Sequence, residues 1–194
     1  TVTGVQTCAL PISGRQAVAA LVPRLRREHQ LDLVVANGEN CAHGAGLTRG
    51  TVEELVGAGV DVITSGDHVW DQKGFEAEID RLPQVLRPLN LNPAAPGRGS
   101  LVVTVDERHR VAVLNLIGRV FMKDYDCPFR AATAEVARLR QQTNLILVDL
   151  HAEATSEKIA LGRHLDGQVS ALFGTHTHVQ TADDHILPGG TAYL

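Results

Sequence analysis

Apolar and polar positions alternate along the chain in two periods, one helical and one extended. Residues 14–29 place apolar side chains at helical spacing, so an amphipathic helix is predicted there, with Pro23 kinking it or shifting its start. The run 31–36 (LDLVVA) is short and largely apolar, a buried strand that ends in the polar loop Asn37-Gly38-Glu39-Asn40. Residues 51–57 predict a helix stopped by Gly59, and 60–64 (VDVIT) a strand running into Ser65-Gly66-Asp67-His68. A charged helix is predicted over 73–82, and the Pro- and Asn-rich stretch 87–98 reads as loop. Apolar runs 101–105 and 111–116 flank Asp106-Glu107-Arg108-His109, the pattern of an antiparallel hairpin. A helix over 131–142 precedes the strand 144–150 (NLILVDL), which delivers His151. Thr155 or Ser156 caps a helix reaching Arg163, and the strand 169–174 runs into Thr175-His176-Thr177-His178.

Strands alternating with helices imply an α/β fold with a mainly parallel sheet, the hairpin being an antiparallel addition. Four of the strands end in polar clusters, NGEN, GDH, HAE and THTH. Ligands of open α/β sheets bind beyond the carboxyl ends of strands, so these clusters are expected to converge. With 194 residues the chain suffices for one domain with a sizeable core. Hydrophobic residues make up 44% and charged residues 21%, and the formal net charge is −4. No basic block is present, which argues against a long polynucleotide as partner, whereas a small anion remains compatible if metal supplies positive charge. The run of apolar residues needed for a membrane span is missing, and 5–12 lacks the charged start of a signal peptide. Three scattered cysteines, Cys8, Cys41 and Cys127, form no CxxC pair, a usage that fits a reducing cytoplasm.

Of nine histidines, His68, His151, His176 and His178 stand at strand ends. Residues two apart in extended chain share a face, so the H-x-H pair is expected to aim both imidazoles into one pocket. Imidazole suits Zn, Fe, Cu or Ni, and the carboxylates Glu39 and Asp67 at matching positions extend the range to Mn. Two metals about 3.5–4 Å apart activate water and clamp a phosphoryl oxygen. Each cluster alone has an ordinary reading: Asn37-Gly38 as a turn, Asp67-His68 as a cap, H-x-H as hydrogen-bonded surface histidines. Capping does not account for all four together. His29, His43, His109, His164 and His185 read as helix-end or loop residues, and Cys41 and Cys127 as packed side chains with no base beside them. The stretch 119–130 (RVFMKDYDCPFR) reads equally as a surface crossover or as a pocket wall with Arg119 or Arg130 facing phosphate.

The segments NGEN (37–40), SGDHVWD (65–71), LIGRVFM (116–122), DCPFR (126–130), HAEATSEK (151–158) and GTHTHVQTAD (174–183) resemble the bacterial 2′,3′-cyclic-nucleotide 2′-phosphodiesterase group of the calcineurin-like metallophosphoesterases. The resemblance runs from about Gly14 to the last residue. It implies a four-layer α/β/β/α sandwich and two divalent ions, iron or manganese. On matching positions Glu39 would bridge the ions, Asn40 and His178 would be among the remaining ligands, and Asp67, His151 and His176 would complete the second ion's shell. His68 would protonate the leaving ribose oxygen or stabilise the transition state, and a metal-bridging hydroxide would attack phosphorus. The expected substrate is a small cyclic nucleotide or related phosphoester. The alternatives are a phosphomonoesterase and a metal- or nucleotide-binding regulator without turnover.

Two departures from the family pattern bear on these expectations. Asp67 stands where the family has Asn, adding negative charge beside the metals. The family opens on a strand ending in Gly-Asp, whereas 1–12 (TVTGVQTCALPI) carries Cys8 in that register. The expected organisation is therefore a foreign segment over 1–12 and a metallophosphoesterase domain over 13–194, incomplete at both ends and poorly active as it stands. A cytoplasmic protein that makes no membrane contact and is compatible with a homo-oligomer completes the reading.

Overall fold

The structure is a computed structural model that describes residues 13–194; the segment 1–12, with Cys8 and the expected foreign junction, lies outside the described residues. The chain divides into two compact units, one ending at Leu86 and the other spanning Arg87–Leu194. Both combine strands with helices, so the α/β class read from the alternation is the class observed.

The first unit holds α1 (Ser13–His29), β1 (Val35–Asn37), α2 (Arg49–Gly57) and β2 (Val62–Thr64). Helix α1 runs on through Pro23, whose missing N–H does not end it. Arginines fasten this helix: Arg26 donates to Gly59 O at 2.9 Å and pairs with Asp61, and Arg15 pairs with Glu54 at 2.5 Å. Helix α2 starts two residues earlier than predicted, because Thr48 and Thr51 cap each other. Thr48 Oγ1 accepts from Thr51 N at 3.2 Å, and Thr51 Oγ1 accepts from Thr48 N at 3.0 Å.

Strands β1 and β2 pair in parallel, Val35 with Val62 through Asn37 with Thr64. Strand β1 is half the predicted run and only half-buried. Its lead-in is held from both sides of Val34: the N–H donates to Asp61 Oδ2 at 2.7 Å, and the carbonyl accepts from Asp61 N and Val62 N at 2.9 and 3.2 Å. Strand β2 is fully buried, flanked by β1 and by a parallel bridge from Ile63 to Val85. The charged helix predicted over 73–82 is absent. Two short 3₁₀ turns, Phe75–Ala77 and Ile79–Arg81, replace it. Gly74 enters the first turn at φ 87°, and neither turn has a side-chain cap, so the i→i+4 ladder never starts. Phe75 and Ile79 are buried all the same.

The second unit is a six-stranded sheet in the order β3-β4-β5-β6-β8-β7 with α3 (Pro128–Leu139) and α4 (Thr155–His164). The predicted hairpin is β3 (Ser100–Thr104) against β4 (Arg110–Ile117), antiparallel; β4, β5 (Leu145–Ala152) and β6 (Ala171–His176) are parallel neighbours. β8 (Ala192–Tyr193) continues beside β6, and β7 (His185–Ile186) pairs antiparallel with β8, which puts His185 in a strand and not in the polar loop expected. Leu114, Leu116, Ile146, Val148, Leu150 and Leu161 form part of one apolar core. Neither Thr155 nor Ser156 caps α4. Ala154 occupies the cap position without a side-chain bond, and Glu157 in the first turn supplies the favourable negative charge. Among the described residues no helix is long and apolar enough to cross a membrane.

Candidate metal centre

In the first unit the polar cluster grows from the β1–β2 ladder. Gly38 N donates to Thr64 O at 2.9 Å, extending the pairing one residue past the strand. Asn37 Oδ1 accepts from Glu39 N at 3.1 Å, an Asx turn that swings the chain away from the sheet. A Cβ at Gly38 would stand 2.8 Å from Ile63 Cγ2, so the turn sits directly on the buried strand and admits only glycine without a shift. Glu39 is thereby 1% exposed and Asn40 7%. Glu39 Oε1 accepts from His68 N at 2.8 Å, which ties the loop after β1 to the loop after β2. Carboxylate oxygens of Glu39 and Asp67 lie within 4.8 Å of each other.

His68 is the more open member of this cluster. Its Nδ1 lies 2.7 Å from Asp71 Oδ2 and its Nε2 3.8 Å from Asp67 Oδ2. A carboxylate only accepts, so Nδ1 carries the proton toward Asp71, leaving Nε2 as the exchangeable position. Burial works against the charged imidazolium, but the Asp71 bond and the charges of Asp67 and Glu39 outweigh it and hold the His68 pKa above its ordinary value. Asp71 escaped the sequence reading as a partner, although its i+3 spacing from His68 was the available signal.

In the second unit His151 lies within β5, not after it, directly opposite Thr175 of β6. Its Nδ1 is 3.0 Å from Thr175 Oγ1, and Thr175 Oγ1 donates to Asp149 Oδ1 at 2.8 Å. His151 Nε2 is 3.0 Å from His176 Nδ1, the two rings crossing at 81°. His176 Nε2 is in turn 2.9 Å from Glu153 Oε2. Asp149, His151 and Thr175 are all buried, and His176 is partly open. Asp149 and Thr175 were missed. Asp149 is the one charge in the run NLILVDL and stands two residues before His151, on the same face of the strand.

The H-x-H pair is not continuous extended chain, the backbone on which its expected alternation was argued. His176 has φ 91° and His178 φ 55°, so the strand alternation breaks at His176 itself. The structure brings His176 onto His151, whereas His178 is exposed beyond the strand. Left-handed backbone at two non-glycine residues costs energy, and such residues gather at functional sites.

The crossover 118–127 starts from the same end of the sheet: Ile117 pairs with His151, and Gly118 N donates to His151 O at 2.9 Å. Glu157 accepts from Arg119 N at 3.0 Å and from Val120 N at 3.2 Å, and Asn90 Nδ2 bonds Ile117 O and Asp126 O at 2.8 and 2.7 Å. Arg119, Lys123, Met122 and Phe129 line a cleft of about 440 Å³ here, while Arg130 is exposed on α3. Arg119 pairs with Asp124 at 2.8 Å.

Comparison with known proteins shows the family of the chain. The chain is 46% identical over 181 residues to the 2′,3′-cyclic-nucleotide 2′-phosphodiesterase of Bacillus subtilis (strain 168), covering 93% of this chain and 68% of that protein. The crystal structure of a hypothetical protein from Thermus thermophilus superposes with a TM-score of 0.86 at 42% identity, covering 95% of this chain and 71% of that one. The crystal structure of a novel phosphatase from Mycoplasma pneumoniae gives 0.86 at 36% identity, covering 96% and 67%. The chain spans about two thirds of the length of the curated relatives it matches. The YmdB-like protein family matches residues 10–194, almost the whole chain, and the chain belongs to that family.

Proposed function

We propose that this protein is a metal-dependent phosphodiesterase that opens 2′,3′-cyclic nucleotides, with Glu39, Asn40, Asp67, His151, His176 and His178 holding two divalent ions, iron or manganese, and His68 as general acid. The observation that carries the reading is the approach of His151 Nε2 to His176 Nδ1. Each ring uses its other nitrogen as a donor, His151 to Thr175 and His176 to Glu153. Two lone pairs are thereby aimed at each other across 3.0 Å. That arrangement calls for a positive charge, either a proton or a metal ion. In the first unit the neighbouring carboxylates of Glu39 and Asp67 call for the same, since like charges this close repel. Imidazole nitrogen with carboxylate oxygen is a donor set suited to iron and manganese. Asn40 and His178 join the set by their places in the NGEN and THTH motifs.

Two divalent ions bound in such a set supply an activated water and neutralise charge on the phosphoryl oxygens. The protein's own contribution is proton management and orientation. Water adds to phosphorus and the P–O2′ bond breaks, so O2′ leaves needing a proton. His68 delivers it from Nε2 while Asp71 holds the ring through Nδ1. Gly38 and the Asx turn at Asn37 fix Glu39 in place, so the carboxylate does not reorganise during the reaction. The free thiols of Cys41 and Cys127 accord with a cytoplasmic location.

The test has two parts. Elemental analysis of protein purified with manganese or ferrous iron should show at least one ion fewer in His151→Ala and His176→Ala; unchanged metal content in both removes the metal assignment. Hydrolysis of 2′,3′-cyclic AMP should exceed that of p-nitrophenyl phosphate, a simple monoester. His68→Ala should keep its metal and slow turnover by roughly 10²–10⁴-fold; full activity in that variant would take His68 out of the mechanism.

A further inference from the structure

We infer that Asp149 and Thr175 are positioning residues that lock His151 in one tautomer and so present its Nε2 to a cation. Asp149 is a buried carboxylate inside β5 and can only accept hydrogen bonds. Thr175 has a single hydroxyl proton, and it goes to Asp149 Oδ1 at 2.8 Å. With its proton committed, Thr175 Oγ1 meets His151 as an acceptor. The 3.0 Å contact is then a bond from His151 Nδ1–H, and the neutral ring carries no proton on Nε2. Nε2 is the atom that faces His176. The register of the sheet makes this possible: His151 and Thr175 are direct cross-strand partners, and Asp149 lies two residues before His151 on the same face of β5.

Reversing the polarity of this relay would place a proton on Nε2, where a cation must bind. A hydroxyl with its proton free would donate to Nδ1 and produce that wrong tautomer. Partners behind a metal-binding histidine commonly change metal affinity by about 10–100-fold. Neither residue touches substrate in this assignment, and both act through His151. The inference rests on the metal reading only for its purpose; the tautomer itself is a property of the metal-free protein.

The experiment uses ¹⁵N-labelled protein without metal, observed by long-range ¹H–¹⁵N correlation of the histidine rings near pH 7.5. Wild type should show His151 protonated on Nδ1 and bare on Nε2. Thr175→Val removes the acceptor, and Asp149→Leu frees the hydroxyl proton to turn toward Nδ1. Both should move the His151 proton to Nε2, while Thr175→Ser keeps the wild-type pattern. In parallel, manganese titration should give a Kd raised about 10–100-fold in Thr175→Val and close to wild type in Thr175→Ser. A wild-type His151 protonated on Nε2 overturns the inference, and needs no variant to fold. So does a Thr175→Val protein with unaltered tautomer or unaltered manganese affinity. Wild type with the expected tautomer and no manganese binding would instead overturn the metal reading and leave the tautomer assignment standing.

Discussion

Gly38→Ala tests whether the turn that carries Glu39 is fixed by packing. The added methyl would stand 2.8 Å from Ile63 Cγ2, 3.1 Å from Leu47 Cδ2 and 3.4 Å from Leu55 Cδ1. Favourable carbon contacts lie near 3.5–4.0 Å, so the first two are repulsive. Ile63 and Leu47 are fully buried and Leu55 is nearly so, and Ile63 is held between β1 and Val85, which leaves little room to yield. Overpacking of this kind costs about 1–3 kcal/mol. Against it, alanine restricts the unfolded chain and returns about 0.4–1 kcal/mol. A net loss of about 1–2 kcal/mol is expected. Trp70 is the single tryptophan and lies half-buried in the same unit, so its fluorescence in a urea titration reports this unit's unfolding. The decisive comparison adds Ile63→Leu, which removes the Cγ2 branch. In that background Gly38→Ala should cost at least about 0.5 kcal/mol less, the coupling expected of residues in contact. A Gly38→Ala cost below about 0.5 kcal/mol, or one unchanged by Ile63→Leu, would refute the steric argument.

The sites where reading the sequence succeeded and failed have a common physical basis. Buried parallel strands leave continuous apolar runs, so β2, β5 and β6 were legible, and polar residues at their ends stood out by contrast. His68, His151 and His176 stand out as candidates this way. Pattern fails where hydrogen bonding decides between alternatives of the same periodicity. Phe75, Ile79 and Leu82 have helical spacing and are buried, yet the backbone takes 3₁₀ turns because Gly74 enters in the left-handed region. The end of extended chain within H-x-H was illegible for a related reason: a positive φ at His176 cannot be read from a histidine, which is not the residue expected there. Thr175 was invisible because its role follows from strand register, a nonlocal fact. Asp149 was visible in principle, as an unexplained charge in a strand that buries nearly everything else.

Three further predictions rest on single interactions. Cys41 is fully buried, and burial pushes its thiol up to about 12 against the opposing charge of Arg15. Iodoacetamide at pH 8 should therefore label half-buried Cys127 well before Cys41 in the folded protein, as read by peptide mass spectrometry, and equal labelling would contradict the burial. Glu157→Gln leaves one carbonyl oxygen for two amides, Arg119 N and Val120 N, at a local cost of about 1–3 kcal/mol. Hydrogen exchange at those amides should quicken roughly tenfold or more, and unchanged protection would show that the carboxylate does not hold the crossover. The hairpin tip gives the pH test. The His109 side chain, then the backbone N–H groups of Arg108 and His109, hold the Asp106 carboxyl below its ordinary value, and burial opposes them weakly. A carboxyl whose folded pKa is depressed contributes stability above its unfolded pKa, near 3.9, and loses it as the pH falls through the folded value. The tip should thus stay closed at neutral and mildly acidic pH and loosen only below the usual carboxylate range. The amide shifts of Arg108 and His109, followed by NMR down the acid range, should give a midpoint below that of Asp106 in a free peptide spanning 104–110. A midpoint at or above the peptide's would mean that Asp106 organises nothing at the tip, and Asp106→Asn would then leave those amides unmoved.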